Sequence, residues 1–156
     1  MPRELSADAL ASLNAQQTGE AWLVLITIDH SSMGSPIRVV NNNEDIVSRG
    51  DTFVAFPFEL VLPGEDPDGV TKAGLRLDNV DRSVITAIRT LTSPPTVKIE
   101  IIISSDMNTP EISFTGMLLR NVSYNAFTIQ GDLEFEDLLS EPMTLQMTPS
   151  RFPGLF

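Results

Sequence analysis

Residues 22–28 read WLVLITI, and this run decides the fold of the 156-residue chain. An uncharged β-prone run of this length predicts a strand that is buried on both faces. The Ser, Gly and Pro cluster that follows, DHSSMGSP at residues 29–36, predicts a turn, and IRVVN at residues 37–41 predicts the returning strand. The first part of the core is therefore expected to be a β-hairpin.

Short β-prone runs separated by turn residues continue to the end of the chain. The pair Gly50-Asp51 predicts a tight hairpin turn, and Gly116 and Gly131 are candidates for bulges or bends. Further strands are predicted at residues 52–56, 58–62, 73–79, 96–104, 112–124, 126–138 and 143–147. Eight or nine strands with turn signals at near-regular spacing predict a mainly β, mostly antiparallel barrel or sandwich.

Two segments have helical periodicity. Residues 6–17, SADALASLNAQQ, predict a short N-terminal helix with Ser6 as its N-cap, which either lies on its own subunit or docks on a neighbour through residues such as Leu10 and Leu13. Residues 81–91, DRSVITAIRTL, predict an inserted helix with one apolar stripe that includes Ile88.

The composition excludes several classes of function. The chain has 10 Lys and Arg against 21 Asp and Glu, a net charge of −11, which disfavours sequence-specific nucleic-acid binding and anionic membranes. It has no cysteine and one histidine, so disulfides, thiolate metal sites and cysteine nucleophiles are excluded. No apolar run reaches the roughly 18 residues of a membrane span. We therefore expect neither a cofactor nor an enzyme.

The polar motifs favour ordinary turns over chemistry. Asp29, His30 and the serines after it are neighbours on one turn, whereas a catalytic triad needs groups from separate elements. Arg49-Gly50-Asp51 has the letters of an adhesion motif but is interpreted as a turn. Trp22 is expected in the core, which leaves little aromatic surface for a carbohydrate site.

Acidic residues cluster in two places. The Pro- and Gly-rich loop at residues 63–74 is expected to be exposed, and its acids either bind a hard cation or are solvated; they are Glu65, Asp66 and Asp68. A second group near the predicted strand 126–138 contains no base; its members are Asp132, Glu134, Glu136, Asp137 and Glu141. The first three of these share one face of a strand, where they contact another chain, line a channel or are solvated.

The last segment, TPSRFPGLF at residues 148–156, is apolar around one arginine. Exposed aromatic side chains lower solubility, so this tail is expected to dock on its own subunit or on a neighbour in an assembly. Its candidate contact residues are Arg151, Phe152, Leu155 and Phe156. We accordingly divide the chain into an N-terminal helical arm (1–20), a β domain (21–147) and a docking tail (148–156).

Several long phrases give the chain a resemblance to a known family. They are VVNNNEDIVSRGDTFVAFPFELVLPGEDPDG (39–69), LRLDNVDRSVITAIRTL (75–91), PPTVKIEIII (94–103), LLRNVSYNAFTIQGDLEFEDLLSEPM (118–143) and TPSRFPGLF. The chain resembles a family of uncharacterised domains (DUF1833-like) encoded among the tail genes of long-tailed phages. The pattern of Gly50, Phe53, Phe56 and Pro57 is also similar to the N-terminal hub domain of the lambda-like tail-tip protein L family, although the cysteine-rich iron–sulfur segment of that family is missing here.

The resemblance implies a structural role in the virion. It implies a β-barrel subunit, made in the host bacterial cytoplasm, that forms a ring, expected to be a trimer, at the end of the tail tube. Its implied partners are further copies of itself, the distal tail and tube proteins, the tape measure protein, and the central fibre or receptor-binding protein. Three alternatives stay open: a distal tail protein in a sixfold ring, a tail-associated hydrolase, and an accessory module that binds carbohydrate or cations.

Overall fold

The protein is described by a computed structural model over residues 5–61, 73–78, 86, 91–125 and 128–135. Apart from the single helical residue Thr86, these residues form one helix, α1 (Ala7–Asn14), and nine strands. The strands are β1 (Trp22–Asp29), β2 (Ile37–Val40), β3 (Ile46–Ser48), β4 (Asp51–Ala55), β5 (Phe58–Val61), β6 (Ala73–Asp78), β7 (Thr96–Ile103), β8 (Ile112–Tyr124) and β9 (Thr128–Phe135). The mainly β fold predicted from the sequence is confirmed.

All nine strands belong to one sheet, in the order β3-β4-β2-β1-β7-β8-β9-β6-β5. The predicted first hairpin is present, with Leu25 opposite Val40. Strand β1 also pairs with β7 over its whole length, and no residue from Trp22 to Ile28 is exposed. Every pairing is antiparallel except that between β2 and β4, which run parallel.

The sheet curves strongly because its two ends are joined by two residues. Strands β4 and β5 stand seven steps apart in the sheet, which is about 34 Å at about 4.8 Å per step if the sheet were flat. The link of Phe56 and Pro57 spans at most about 10 Å. Phe56 N still donates to Val40 O of β2, whereas Asp78 N of β6 donates to Pro57 O. The segment from β4 to β5 therefore leaves one end of the sheet and joins the other, and no ladder closes the described sheet.

The core has two parts, one on each face of β1. The larger cluster lies on the concave side and contains Ile26 and Ile28 with apolar side chains of β2 and β5–β9. The smaller cluster lies on the other face, where Leu23 and Leu25 contact residues of the β3–β4 hairpin and of β7. Alternation along β1 explains this division, because successive side chains of a strand point to opposite faces.

Two predicted details change in the structure. Helix α1 ends at Asn14 instead of residue 17, because the backbone of Ala15 is already extended. The chain then runs towards β7, where Ala21 N donates a hydrogen bond to Ser104 Oγ. The tight turn lies at Arg49 and Gly50, not at Gly50 and Asp51: both turn residues have positive φ, 53° and 88°, as in a two-residue hairpin loop whose twist matches the strands.

Of the two glycines predicted to mark bulges or bends, Gly116 lies in a bulge of β8, whereas Gly131 of β9 lies opposite a bulge of β8 and not in one. The first bulge adds one residue to β8 between Phe114 and Met117, where Gly116 has a φ of 77°. A second bulge, which includes Asn121, lies opposite Gly131, and a Cβ there would come within 2.8 Å of Leu119 Cδ1. Of the predicted helix at 81–91, only Thr86, which is helical, and Leu91 are described; the loop from 63 to 72, the strand at 143–147 and the tail lie outside the described residues.

Candidate assembly surfaces

The β7–β8 loop (residues 104–111) connects two surfaces of the molecule. On one side, Ser48 Oγ donates to Met107 O at 2.6 Å and Arg49 N donates to Asn108 Oδ1 at 2.8 Å. On the other side, Glu111 accepts hydrogen bonds from Ser6. The same loop therefore holds both the turn of the β3–β4 hairpin and the start of helix α1.

Helix α1 is fastened at both ends by polar contacts. The Oγ of Ser6 accepts from Ala9 N at 3.1 Å as the predicted N-cap, while its own N and Oγ donate to the Glu111 carboxylate. Towards the C-terminal end, Trp22 Nε1 donates to Ser12 Oγ at 3.3 Å. Only Ala9 and Ser12 of the helix are buried. The helix therefore contacts the body through small side chains, which bury little apolar area.

The leucines of α1 point away from the body. Leu10 is 47% exposed and Leu13 is 60% exposed, and residues three apart lie on one flank of a helix. The structure thus brings together these two predicted contact residues on a helix that is otherwise held in place. An apolar pair in this position adds little to the stability of the isolated chain.

Helix α1, residues 15–21 and the β7–β8 loop form one continuous surface, here called the helix surface. Its charged residues are all acidic: Asp8, Glu20, Asp106 and Glu111. Hydrogen bonds from Ser104 and Ser105 lower the pKa of Glu20. Hydrogen bonds from Thr109 and Asn108 lower the pKa of Asp106. Because residues 5–21 and 104–111 contain no Lys or Arg, this surface is negative at neutral pH.

The β3–β4 hairpin forms a second candidate surface. Its inner side chains, Ile46 and Phe53, lie opposite each other and are buried in the smaller core cluster. On its outer face Val47 is 59% exposed and Val54 is 50% exposed. Strand β3 has only three residues and stands at the end of the described sheet. The hairpin therefore shows apolar side chains to solvent on an element whose other face is fixed in the core.

A buried ion pair anchors this hairpin to β7. Arg49 Nη1 and Nη2 donate to the two carboxylate oxygens of Glu100 at 2.8 and 2.7 Å, and Lys98 Nζ lies 2.9 Å from Glu100 Oε1. Burial raises the pKa of Glu100, but the hydrogen bonds from Arg49 and Lys98 outweigh it, so the pKa lies below its usual range. The bond to Glu100 raises the pKa of Arg49. Sequence reasoning missed this pair, for which the lone acid in the strand VKIEIII was the available signal.

The adhesion-like motif is engaged within the chain. The side chain of Arg49 is bound to Glu100, and Asp51 Oδ1 lies 3.1 Å from Arg38 Nη2. The interpretation of this motif as a turn is confirmed, and the side chains of Arg49 and Asp51 both form ion pairs within the chain.

His30 contacts a serine from a different element, Ser93. Ser32 N donates to His30 Nδ1 at 3.0 Å, which leaves the ring proton on Nε2, and Nε2 lies 2.6 Å from Ser93 Oγ. A general base needs an unprotonated nitrogen facing the nucleophile. The His30–Ser93 contact is therefore arranged as a hydrogen bond that ties the turn to residues 91–95, not as a base with its nucleophile.

The acids of β9 share one face, as their alternation predicts. Asp132 and Glu134 are partly buried between inward-facing residues such as Leu133, and Asn121 Nδ2 donates to Asp132 Oδ2 at 2.8 Å. Asp132 also lines a shallow groove across β5, β6, β8 and β9, whose lining within the described residues is polar and aliphatic. The other three acids of this group lie outside the described residues.

The remaining predicted site residues are also outside the described residues: Glu65, Asp66, Asp68, Arg151, Phe152, Leu155 and Phe156. Within the described part of the chain, no three His, Asp or Glu side chains converge to hold a metal ion. Helix α1, with eight residues, is too short to cross a membrane, and no other described helix is long and apolar enough to do so.

Fold and surfaces together define a small, strongly curved β-sheet domain that exposes apolar side chains on fixed elements. A family model described as "Domain of unknown function (DUF1833)" matches residues 8–148, and the chain belongs to this family. The match covers all nine described strands and α1 except its first residue, Ala7. No curated protein matches the chain.

Proposed function

We propose that this protein is a structural subunit of the tail tip of a long-tailed phage, a baseplate hub protein that assembles into a ring at the end of the tail tube. The observation that carries the proposal is the exposure of apolar side chains on two separate, immobilised elements. Leu10 and Leu13 lie on α1, and Val47 and Val54 lie on the β3–β4 hairpin. The resemblance to phage tail proteins over most of the chain supplies the biological setting.

Ring formation needs two different surfaces on each subunit, since each copy must contact one neighbour in front and another behind. The helix surface and the outer face of the β3–β4 hairpin meet this requirement, because they belong to different elements and differ in character. The helix surface is acidic around its leucines, whereas the hairpin face combines valines with threonine. Both are held by the β7–β8 loop, so neither has to be ordered when a neighbour binds.

The negative charge also fits this role. A net charge of −11 repels the phosphate backbone, so a ring of such subunits lets DNA pass without binding it. The proposed neighbours are the distal tail and tube proteins, the tape measure protein, and the central fibre or receptor-binding protein, in the tail tip of the virion.

Cryo-electron microscopy of phage particles that carry this chain tests the proposal. We expect threefold density for the chain at the end of the tail tube. Sixfold density there would instead identify the distal tail protein, which is the second candidate. A particle that lacks the chain would contradict the structural role altogether.

A further inference from the structure

We propose that residues 148–156 of one copy dock on the helix surface of a neighbouring copy. The inference rests on the proposed function, because it names the two parts of adjacent ring subunits that meet. The docking segment reads TPSRFPGLF, and the acceptor is the flank of α1 formed by Leu10 and Leu13.

The acceptor has the properties of a preformed apolar contact. Leu10 and Leu13 expose about half or more of their side chains, although the helix that carries them is capped by Ser6 and bonded to Trp22. Covering two leucines and the facing aromatic side chains removes apolar area from water at both partners. Because the helix is already fixed, association does not have to order it.

Within the C-terminal part of the chain, only residues 148–156 have a net charge opposite to that of the helix surface. The helix surface carries four acids and no Lys or Arg, and residues 148–156 carry Arg151 and no acid. Residues 128–147, by contrast, carry five acids and no base, so the helix surface repels them. The segment 148–156 therefore combines apolar side chains, which can cover the leucines of the acceptor, with the positive charge that the acceptor lacks.

Most described basic side chains are already engaged inside their own subunit. Arg38 pairs with Asp51, Arg76 with Glu59, and both Arg49 and Lys98 with Glu100. A neighbour that used one of these four to approach the helix surface would first have to break an ion pair. Arg151 is the one basic residue of the proposed docking segment, and the proposal pairs it with the acids of the helix surface.

The intervening chain is long enough to reach another subunit. The described part of strand β9 ends at Phe135, so 147 − 135 = 12 residues lie between it and the segment. Twelve residues span at most about 40 Å, which is comparable with the diameter of a domain of this size. Each copy then gives its segment to one neighbour and its helix surface to the other, which is the head-to-tail type of contact from which closed rings are built.

Two variants of the full chain test the docking. The first, Leu10→Asp with Leu13→Asp, removes the acceptor and keeps the segment. The second, Arg151→Glu with Phe152→Asp, removes the segment and keeps the acceptor. Sedimentation velocity is expected to show a ring for the parent chain, monomers for each variant alone, and dimers that grow no further for an equimolar mixture. Circular dichroism and thermal unfolding of each variant confirm that it is folded.

A labelled peptide of residues 148–156 provides a second readout. It is expected to bind the segment-defective variant and not the acceptor-defective variant. Variants that both assemble like the parent, or a mixture that stays monomeric, would overturn the docking. A monomeric parent whose segment-defective variant binds the peptide would place the contact within one subunit and overturn it as well.

These results are separable from the proposed function. Parent rings that persist in both variants overturn the docking and leave the tail-tip role in place. Absence of the chain from the particle removes the tail-tip role, whatever the variants do in solution.

Discussion

The β3–β4 hairpin and helix α1 are both small elements held by the β7–β8 loop, but they use their apolar side chains in opposite ways. The hairpin buries Phe53 and Ile46 in the smaller core cluster. The helix buries only Ala9 and Ser12 and exposes its leucines. The hairpin is therefore part of the core of the fold, whereas the helix is attached to the body mainly by hydrogen bonds.

The anchors of the two elements differ as well. Arg49 fixes the hairpin through a carboxylate that is 3% exposed, whereas Ser6 fixes the helix through Glu111 in an exposed contact. A buried charge whose partner is removed is costly, and an exposed hydrogen bond is replaced by water at little cost. Substitutions of the buried hairpin side chains and their anchor should therefore affect stability, and substitutions of the exposed leucines of the helix should affect assembly.

The largest difference is expected between Phe53→Ala and Leu13→Ala. The first leaves a cavity in the smaller core cluster and should lower the free energy of unfolding by about 3–5 kcal/mol. The second trims a side chain that is 60% exposed and should change it by less than about 0.5 kcal/mol. Urea unfolding monitored by circular dichroism gives both values. Equal losses would mean that the helix contributes to the core.

Next in size is the loss of the buried anchor. Arg49→Met leaves Glu100 buried with only Lys98 as its partner, and we expect about 3 kcal/mol of destabilisation. Arg76→Met is the matched control, because Arg76 and Glu59 are both more than half exposed and 3.6 Å apart. The control substitution should lower the free energy of unfolding by about 0.5 kcal/mol or less. Similar losses in the two variants would show that the pair with Glu100 is not an anchor.

The same anchor predicts sensitivity to acid. Because the pKa of Glu100 in the folded protein lies below its ordinary value of 4.5, its ionisation stabilises the fold above that pH. This contribution is lost as the pH falls below 4.5 and through the lowered pKa. Unfolding free energies measured between neutral pH and pH 3 should therefore fall more steeply for the parent chain than for Glu100→Gln. Parallel curves would contradict the assignment.

The smallest effect is expected at the helix cap. Ser6→Ala removes the N-cap side chain and its hydrogen bond to Glu111. We expect it to lower the free energy of unfolding by about 1 kcal/mol. Hydrogen exchange should show faster exchange of the α1 amides with little change in β1. Ser35→Ala, at an exposed turn position, serves as the control. Unchanged protection of α1 would show that other contacts hold the helix.

The sequence predicts the elements better than their long-range arrangement. The run of residues 22–28, the N-cap Ser6 and the bulge at Gly116 are local signals, and each is confirmed. The parallel pairing of β2 with β4 has no local signal, because it depends on how the β3–β4 hairpin folds back on the sheet. The same holds for the change of partner at Phe56 and Pro57, which brings the two ends of the sheet together.

The candidate surfaces were predictable only in part. Leu10 and Leu13 were identified because apolar residues on a short Ala-rich helix must pack somewhere, but helical periodicity does not say which side meets the body. Small residues, Ala9 and Ser12, take that side. The pairing of Arg49 with Glu100 joins residues 51 positions apart, so no spacing rule finds it.

Thiol labelling of the assembled tail tests most directly whether α1 is an assembly surface. The chain has no cysteine, so Leu13→Cys introduces a single thiol, and Ser35→Cys gives a matched exposed control. We expect a maleimide to label both variants in the free protein, and only the Ser35→Cys variant in purified phage tails. Equal labelling of the two variants within tails would contradict the account, because it would show that the leucine flank of α1 stays exposed after assembly.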